Sequence, residues 1–118
     1  FGKKNNTIVF GVPGNPVSNF TAFNIYIKPA IHKMMGRTNY ELVFLSGELQ
    51  VNFRKKTGRA KIVPSKYKLI DGSYKIHPLG INGSADIIGC TGCNCLMLIN
   101  EDVDYIQKRD TVKFIMVD

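Results

Sequence analysis

Thr7-Ile8-Val9-Phe10-Gly11-Val12-Pro13-Gly14-Asn15-Pro16-Val17-Ser18 decides how the first third of this chain folds. The β-branched and aromatic run at 7–10 predicts a strand. Pro13-Gly14 turns it, and Asn15-Pro16 opens a helix. Asn15 is a good N-cap, because its side-chain oxygen accepts from an N–H of the first helical turn. Pro16 suits the first helical position, where its missing N–H costs nothing. Gly14 reads as a turn residue in a conformation closed to residues with a Cβ. Ser18, at the third helical position, adds a hydroxyl beside the free N–H groups. A strand that turns into a helix start presents those groups at the positive end of the helix dipole, a setting suited to an anion and most often to phosphate. A plain, well-capped connector is the alternative for the same residues.

Working outward, Val17, Phe20, Phe23, Ile27, Ile31 and Met34 recur at helical spacing and predict one apolar face. Pro29 falls inside that pattern and predicts a kink or restart, with Gly36 ending the helix. A strand–turn–helix unit is half of a βαβ layer and cannot bury both of its faces alone. Residues 1–38 therefore read as the tail of an α/β domain whose body lies upstream. A start at Phe1 rather than Met agrees with that expectation.

From Asn39 the texture changes. Residues 42–45, 49–53, 59–63, 66–70, 74–77, 95–99 and 111–117 read as short strands. Turn signals stand at Ser46-Gly47, Lys56-Thr57-Gly58, Asp71-Gly72-Ser73 and 80–83. Tyr67 and Leu69, then Tyr74 and Ile76, alternate across an Asp-Gly turn and predict a hairpin. Residues 84–91 read as a short helix or an irregular crossing. Seven short strands between glycine turns make a small β-barrel or sandwich over 39–118. The fold class is thus α+β, a strand–turn–helix tail followed by an all-β domain.

Of the 118 residues, 44% are hydrophobic, which is the content of a foldable globular chain. No apolar run approaches the roughly 20 residues of a membrane span. Sixteen Lys and Arg against nine Asp and Glu give a net charge of +7. The excess sits in the first two thirds, and the last third is acidic, so the anion-ready turn lies in the basic part. Such a field favours an anionic ligand. Nucleic acid is one such ligand, and the acidic end and scarce aromatic interleaving count against it. Arg59 stands in a basic stretch with Arg54, Lys55, Lys56 and Lys61, read either as a solvated run or, with Gly58 turning the chain, as a guanidinium aimed at an oxyanion. Ser84 alone reads as a turn or cap serine. Cys90, Cys93 and Cys95 are an odd set within six positions and a poor disulfide framework, which fits a reducing, cytoplasmic setting. Their Cys-x-x-Cys spacing is zinc-like, but a closed site needs four ligands and only His77 is near, so buried or incidental thiols are expected and no metal ligands are assigned. His32 and His77 read as surface or packing residues, and no Ser/His/Asp or Cys/His arrangement emerges.

Residues 8–18 together with the helix ending Lys28-Pro29-Ala30-Ile31-His32-Lys33-Met34-Met35-Gly36 resemble the C-terminal third of the molybdopterin molybdenumtransferase (MoeA) family, whose animal relative is the E domain of gephyrin. The resemblance continues through Lys56-Thr57-Gly58-Arg59, Pro78-Leu79-Gly80-Ile81-Asn82-Gly83-Ser84, Asn94-Cys95-Leu96-Met97-Leu98-Ile99 and Asp110-Thr111-Val112-Lys113-Phe114. It implies insertion of molybdate into adenylylated molybdopterin, with Mg²⁺ and release of AMP, by a cytoplasmic homodimer whose active site lies in a cleft between an α/β domain of one subunit and parts of the other. It also implies that residues 1–38 end a MogA-like molybdopterin-binding domain and that 39–118 form the C-terminal barrel, domain IV. Pro13 and Pro16 match cleft prolines, with Gly14, Asn15 and Ser18 in the same turn. Arg59 matches a basic cleft-edge residue, and Ser84 a cleft serine. The catalytic carboxylates and metal ligands would lie upstream, so this portion alone is expected to be inert. No nucleic acid and no membrane partner is expected. The alternative functions are a gephyrin-like scaffold that holds receptor tails and, further off, a basic nucleic-acid-binding barrel. Cys95 after Asn94, the cysteine cluster and Ala85-Asp86-Ile87 depart from the family pattern.

Overall fold

In the computed structural model, the longer strands of the β region are β3 (Leu45–Leu49), β5 (Lys61–Ile70), β6 (Ser73–Pro78), β7 (Cys95–Ile99) and β9 (Thr111–Met116). These strands close a barrel in the order β3-β6-β5-β7-β9. The structure describes residues 1–56, 58–80, 86 and 88–117. β3 closes the ring by running antiparallel to β9 and parallel to β6. A short pair, β4 (Phe53–Arg54) with β8 (Tyr105–Ile106), lies outside it.

The period of two decides the core. Cys95, Met97 and Ile99 of β7 point inward with Leu49, Val63, Ile76, Val112 and Phe114. Leu96 of β7 and Ile115 of β9 point outward and are still buried, because Phe20 and Ile25 of the preceding helix pack over them. That is why β7 carries apolar residues on both faces.

Several elements differ from the sequence expectation. Residues 59–63 and 66–70 are not two strands; β5 is continuous through Pro64. Pro64 pairs with Leu96 on β7, and on its other side it stands at the end of the β6 ladder, its carbonyl accepting from Leu79 N at 3.0 Å, so the missing N–H costs only a terminal rung. Ser46-Gly47 is not a turn but the middle of β3, and residues 42–44 precede the strand rather than form it. A Cβ on Gly47 would stand 2.7 Å from Ile76 Cγ1 and 3.1 Å from the Tyr74 carbonyl oxygen, so the glycine serves close strand approach. The Asp71-Gly72 hairpin is present, with both residues at positive φ. Asn94 extends the β5–β7 ladder with its side chain, accepting from Tyr67 N at 2.7 Å and donating to Tyr67 O at 3.1 Å.

The helical run is three pieces: α1 (Pro16–Ala22), a π-helical turn (Phe23–Ile27) and α2 (Lys28–Met34). The expected disturbance at Pro29 takes the form of that wide turn, in which the Lys28 N–H bonds the Phe23 carbonyl. A proline ring clashes with the carbonyl four residues back, and an extra residue in the turn relieves the clash. The extra residue also rotates α2 by about 100° relative to α1. The predicted single apolar face is therefore split: Phe20 and Ile25 meet the barrel, while Phe23, Ile31 and Met34 are exposed. Gly36 ends the run at φ +74.

The strand expected at 7–10 is β2 (Thr7–Val9), paired with β1 (Gly2–Lys4) in a hairpin that the polar Lys3-Lys4 does not signal. Among the described residues of 1–46, only Asn24 is buried, its amide donating to Phe20 O at 2.9 Å. Phe1, Val9, Val12 and Tyr26 are exposed. The hairpin and helix thus carry apolar surface with no core of their own.

Candidate functional site

The turn before α1 has the capping chemistry its sequence announces. Asn15 is extended (φ −78, ψ 123), and its Oδ1 accepts from Ser18 N at 3.3 Å. Pro16 stands in the first turn. Gly14, however, is not at positive φ, so the turn does not depend on a conformation closed to other residues. Its backbone direction follows from the proline at 13 and the extended Asn15, and its bare Cα faces open space, with nothing within 4 Å of an added Cβ.

Ser18 and Thr21 face the barrel across a groove of about 780 Å³. Its opposite wall carries Arg54 at the end of β4 and Lys61 at the start of β5, and Leu79-Gly80 lies at one end. Two hydroxyl side chains and two cations thus line one groove, together with apolar Val17, Ile62 and Val63. Arg54 is braced by Tyr105, its guanidinium 5.1 Å from the ring centroid, and Lys61 lies over Phe53 at 5.7 Å. This pairing of hydroxyl donors with flanked cations suits a phosphate-type or oxoanion ligand.

The structure brings only part of the expected site residues to this groove. Ser18 lines it. Pro13 lines a separate, mainly apolar depression with Phe1, Phe10 and Tyr26. Arg59 is exposed in the loop one residue before the groove wall at Ala60, and the wall's own cations are Arg54 and Lys61. Gly58 turns that loop at φ +99, as its sequence context suggests. Ser84 lies outside the described residues.

Lys55 belongs in sequence to a basic run with the look of a solvated face, yet it is buried, 7% exposed. Its ammonium donates to the carbonyl oxygens of Arg59 at 3.1 Å and Glu101 at 3.2 Å. Its own N–H bonds Asp104 O at 2.9 Å. One buried cation thus ties the Arg59 loop to the turn before β8. A charge run read one residue at a time hides such a position, because only the β4–β8 pairing turns Lys55 inward.

No group of three or more His, Cys, Asp or Glu side chains converges among the described residues. Among the described residues no helix is long and apolar enough to cross a membrane.

The chain is thus a small closed β-barrel with a helix packed along its outside. Residues 46–117 match the model of the MoeA C-terminal region (domain IV), and the chain belongs to that family. It is 26% identical over 91 residues to molybdopterin molybdenumtransferase of Staphylococcus epidermidis, covering 77% of this chain and 22% of that protein. The Staphylococcus aureus enzyme of the same name is 24% identical over 110 residues, covering 93% and 26%. The molybdopterin biosynthesis MoeA protein of Pyrococcus horikoshii superposes with a TM-score of 0.70 at 27% identity, over 88% of this chain and 26% of that one. A Pyrococcus furiosus molybdenum cofactor biosynthesis protein superposes at 0.68 with 27% identity, over 88% and 36%. The chain spans about a quarter of the curated relatives it matches.

Proposed function

We propose that this chain is the C-terminal part of a molybdenum cofactor biosynthesis enzyme that inserts molybdate into adenylylated molybdopterin and releases AMP. The observation that carries this reading is the groove lined by Ser18, Thr21, Arg54 and Lys61, set in a fold shared with molybdopterin molybdenumtransferases. A pterin phosphate joined to AMP is polyanionic, and molybdate is a dianion. Both suit cations already braced against aromatic rings, which spend little entropy on holding a ligand.

In this reading Arg54 and Lys61 bind substrate oxyanions, and Ser18 and Thr21 orient them by hydrogen bonds. Arg59 extends the basic wall from a loop that Lys55 holds in place. Pro13, Gly14, Asn15 and Pro16 fix the start of α1 and so the position of Ser18. In this reading carboxylate chemistry and Mg²⁺ binding belong to residues upstream. The exposed Phe1, Val9, Phe23 and Met34 support completion of residues 1–38 by an upstream MogA-like domain, and a cytoplasmic homodimer is the assembly we assign.

Molybdate-dependent AMP release measured on the full-length protein and on residues 1–118 alone tests this. Turnover by the full-length protein, slowed by Arg59→Ala, with none from the isolated chain, is the expected result. A full-length protein that binds adenylylated molybdopterin yet releases no AMP would refute it.

A further inference from the structure

Cys90-Thr91-Gly92-Cys93 forms a hydrogen-bonded reverse turn just before β7. Cys93 N donates to Cys90 O at 3.0 Å, and Thr91 N donates to Ile88 O at 2.9 Å. Gly92 at φ +81 takes the third position of a type II turn, which a side chain resists. The ends of such a turn lie within about 7 Å of one another at Cα, and a disulfide needs about 4.4–6.8 Å. Both thiols are free and half-buried. The third cysteine is different: Cys95 is fully buried inside the barrel beside Met97 and Phe114.

We propose that Cys90 and Cys93 are a reversible redox pair that closes an intrachain disulfide by exchange with a low-molecular-weight disulfide, leaving Cys95 as a thiol. Cys90, the shallower of the two, attacks as a thiolate one sulfur of the small disulfide and expels one small thiolate, giving a mixed disulfide. Cys93 then loses its proton and displaces the second small thiolate, forming the Cys90–Cys93 bond. Two protein thiols are oxidised, one small disulfide is reduced to two thiols, and the two protein protons end on those thiols.

The surroundings set the selectivity. Burial, then the neighbouring Cys93 and Asp86, push the Cys90 thiol above its ordinary range, so exchange is slow rather than catalytic. Burial also raises Cys93, against backbone hydrogen bonds at Ser65 and Cys95 that lower it. Burial, then Cys93, push Cys95 up to about 12, which holds it out of the exchange. Closing the pair would pin the turn that leads into β7.

The test is incubation of the chain with oxidised glutathione, followed by alkylation under denaturing conditions and peptide mass mapping. The expected product has lost two hydrogens, carries a Cys90–Cys93 cross-link, and alkylates only at Cys95; dithiothreitol reverses it. Cys90→Ser and Cys93→Ser should each stop at a single mixed glutathione disulfide. Stable mixed disulfides at both positions of the unsubstituted chain, or a cross-link that includes Cys95, would overturn the proposal. So would three free thiols under conditions that oxidise the urea-unfolded chain.

Discussion

Replacing Lys55 by methionine removes the buried ammonium and keeps most of the stem. Two charge-assisted hydrogen bonds are lost, to Arg59 O and Glu101 O. Each contributes about 1.5–3 kcal/mol, and relief of the ammonium's desolvation offsets part of the sum. Arg59 and Glu101 are exposed, so their carbonyls turn to water rather than standing unpaired. The net loss is about 2 kcal/mol, which for a urea slope near 2 kcal/mol/M lowers the midpoint by about 1 M with the slope unchanged. Lys56→Met, at the exposed neighbour, provides the comparison and should change stability by less than about 0.5 kcal/mol. The amide of Gly58, bonded to Glu101 O at 3.4 Å, should also exchange its hydrogen faster in Lys55→Met. Equal midpoints for the two variants would refute the anchoring role of Lys55.

Gly47→Ala should cost about 1–3 kcal/mol, because the fully buried Ile76 and the Tyr74 backbone cannot both give way; a midpoint equal to that of Gly2→Ala, where the space is open, would contradict this. Glu48 is held below its ordinary range by its hydrogen bond to Lys75 at 2.8 Å, and next by Gln50. Its contribution is complete above the ordinary carboxylate range and is lost as pH falls through the lowered value, so Glu48→Gln should flatten the acid limb of thermal stability and leave the alkaline limb alone. An unchanged acid limb would show that the pair contributes nothing. Asn15→Ala should weaken the start of α1 by about 1 kcal/mol, read as faster exchange at Ser18 N with β7 amides unaffected; equal protection in both proteins would discount the cap.

The parts of the fold legible in the sequence are those governed by local rules. The Asp71-Gly72 hairpin, β7 and the Asn15-Pro16 helix start follow from turn chemistry, period-two alternation and capping. Misreadings fall where a partner distant in sequence decides. Gly47 reads as a turn because its reason for being small is Ile76, 29 positions on. Pro64 reads as a break because its tolerance depends on where β6 pairing begins. Spacing draws the helix face through Phe23, Ile31 and Met34 because it cannot register the extra residue of the π turn. In the site, Ser18 is legible from the cap it sits beside. Arg54 and Lys61 stay hidden within a basic run until the β4 and β5 backbones set which cations line the groove beside α1.

If the groove between α1 and the barrel is a wall of the substrate site, its cations must matter to turnover. The most direct test is kcat/KM for molybdate-dependent AMP release in full-length protein carrying Arg54→Ala or Lys61→Ala, against Lys68→Ala on the exposed far end of β5. Each groove variant should lose about tenfold or more, the worth of one charge-assisted contact, while Lys68→Ala matches the parent. Groove variants as active as Lys68→Ala would place the substrate elsewhere.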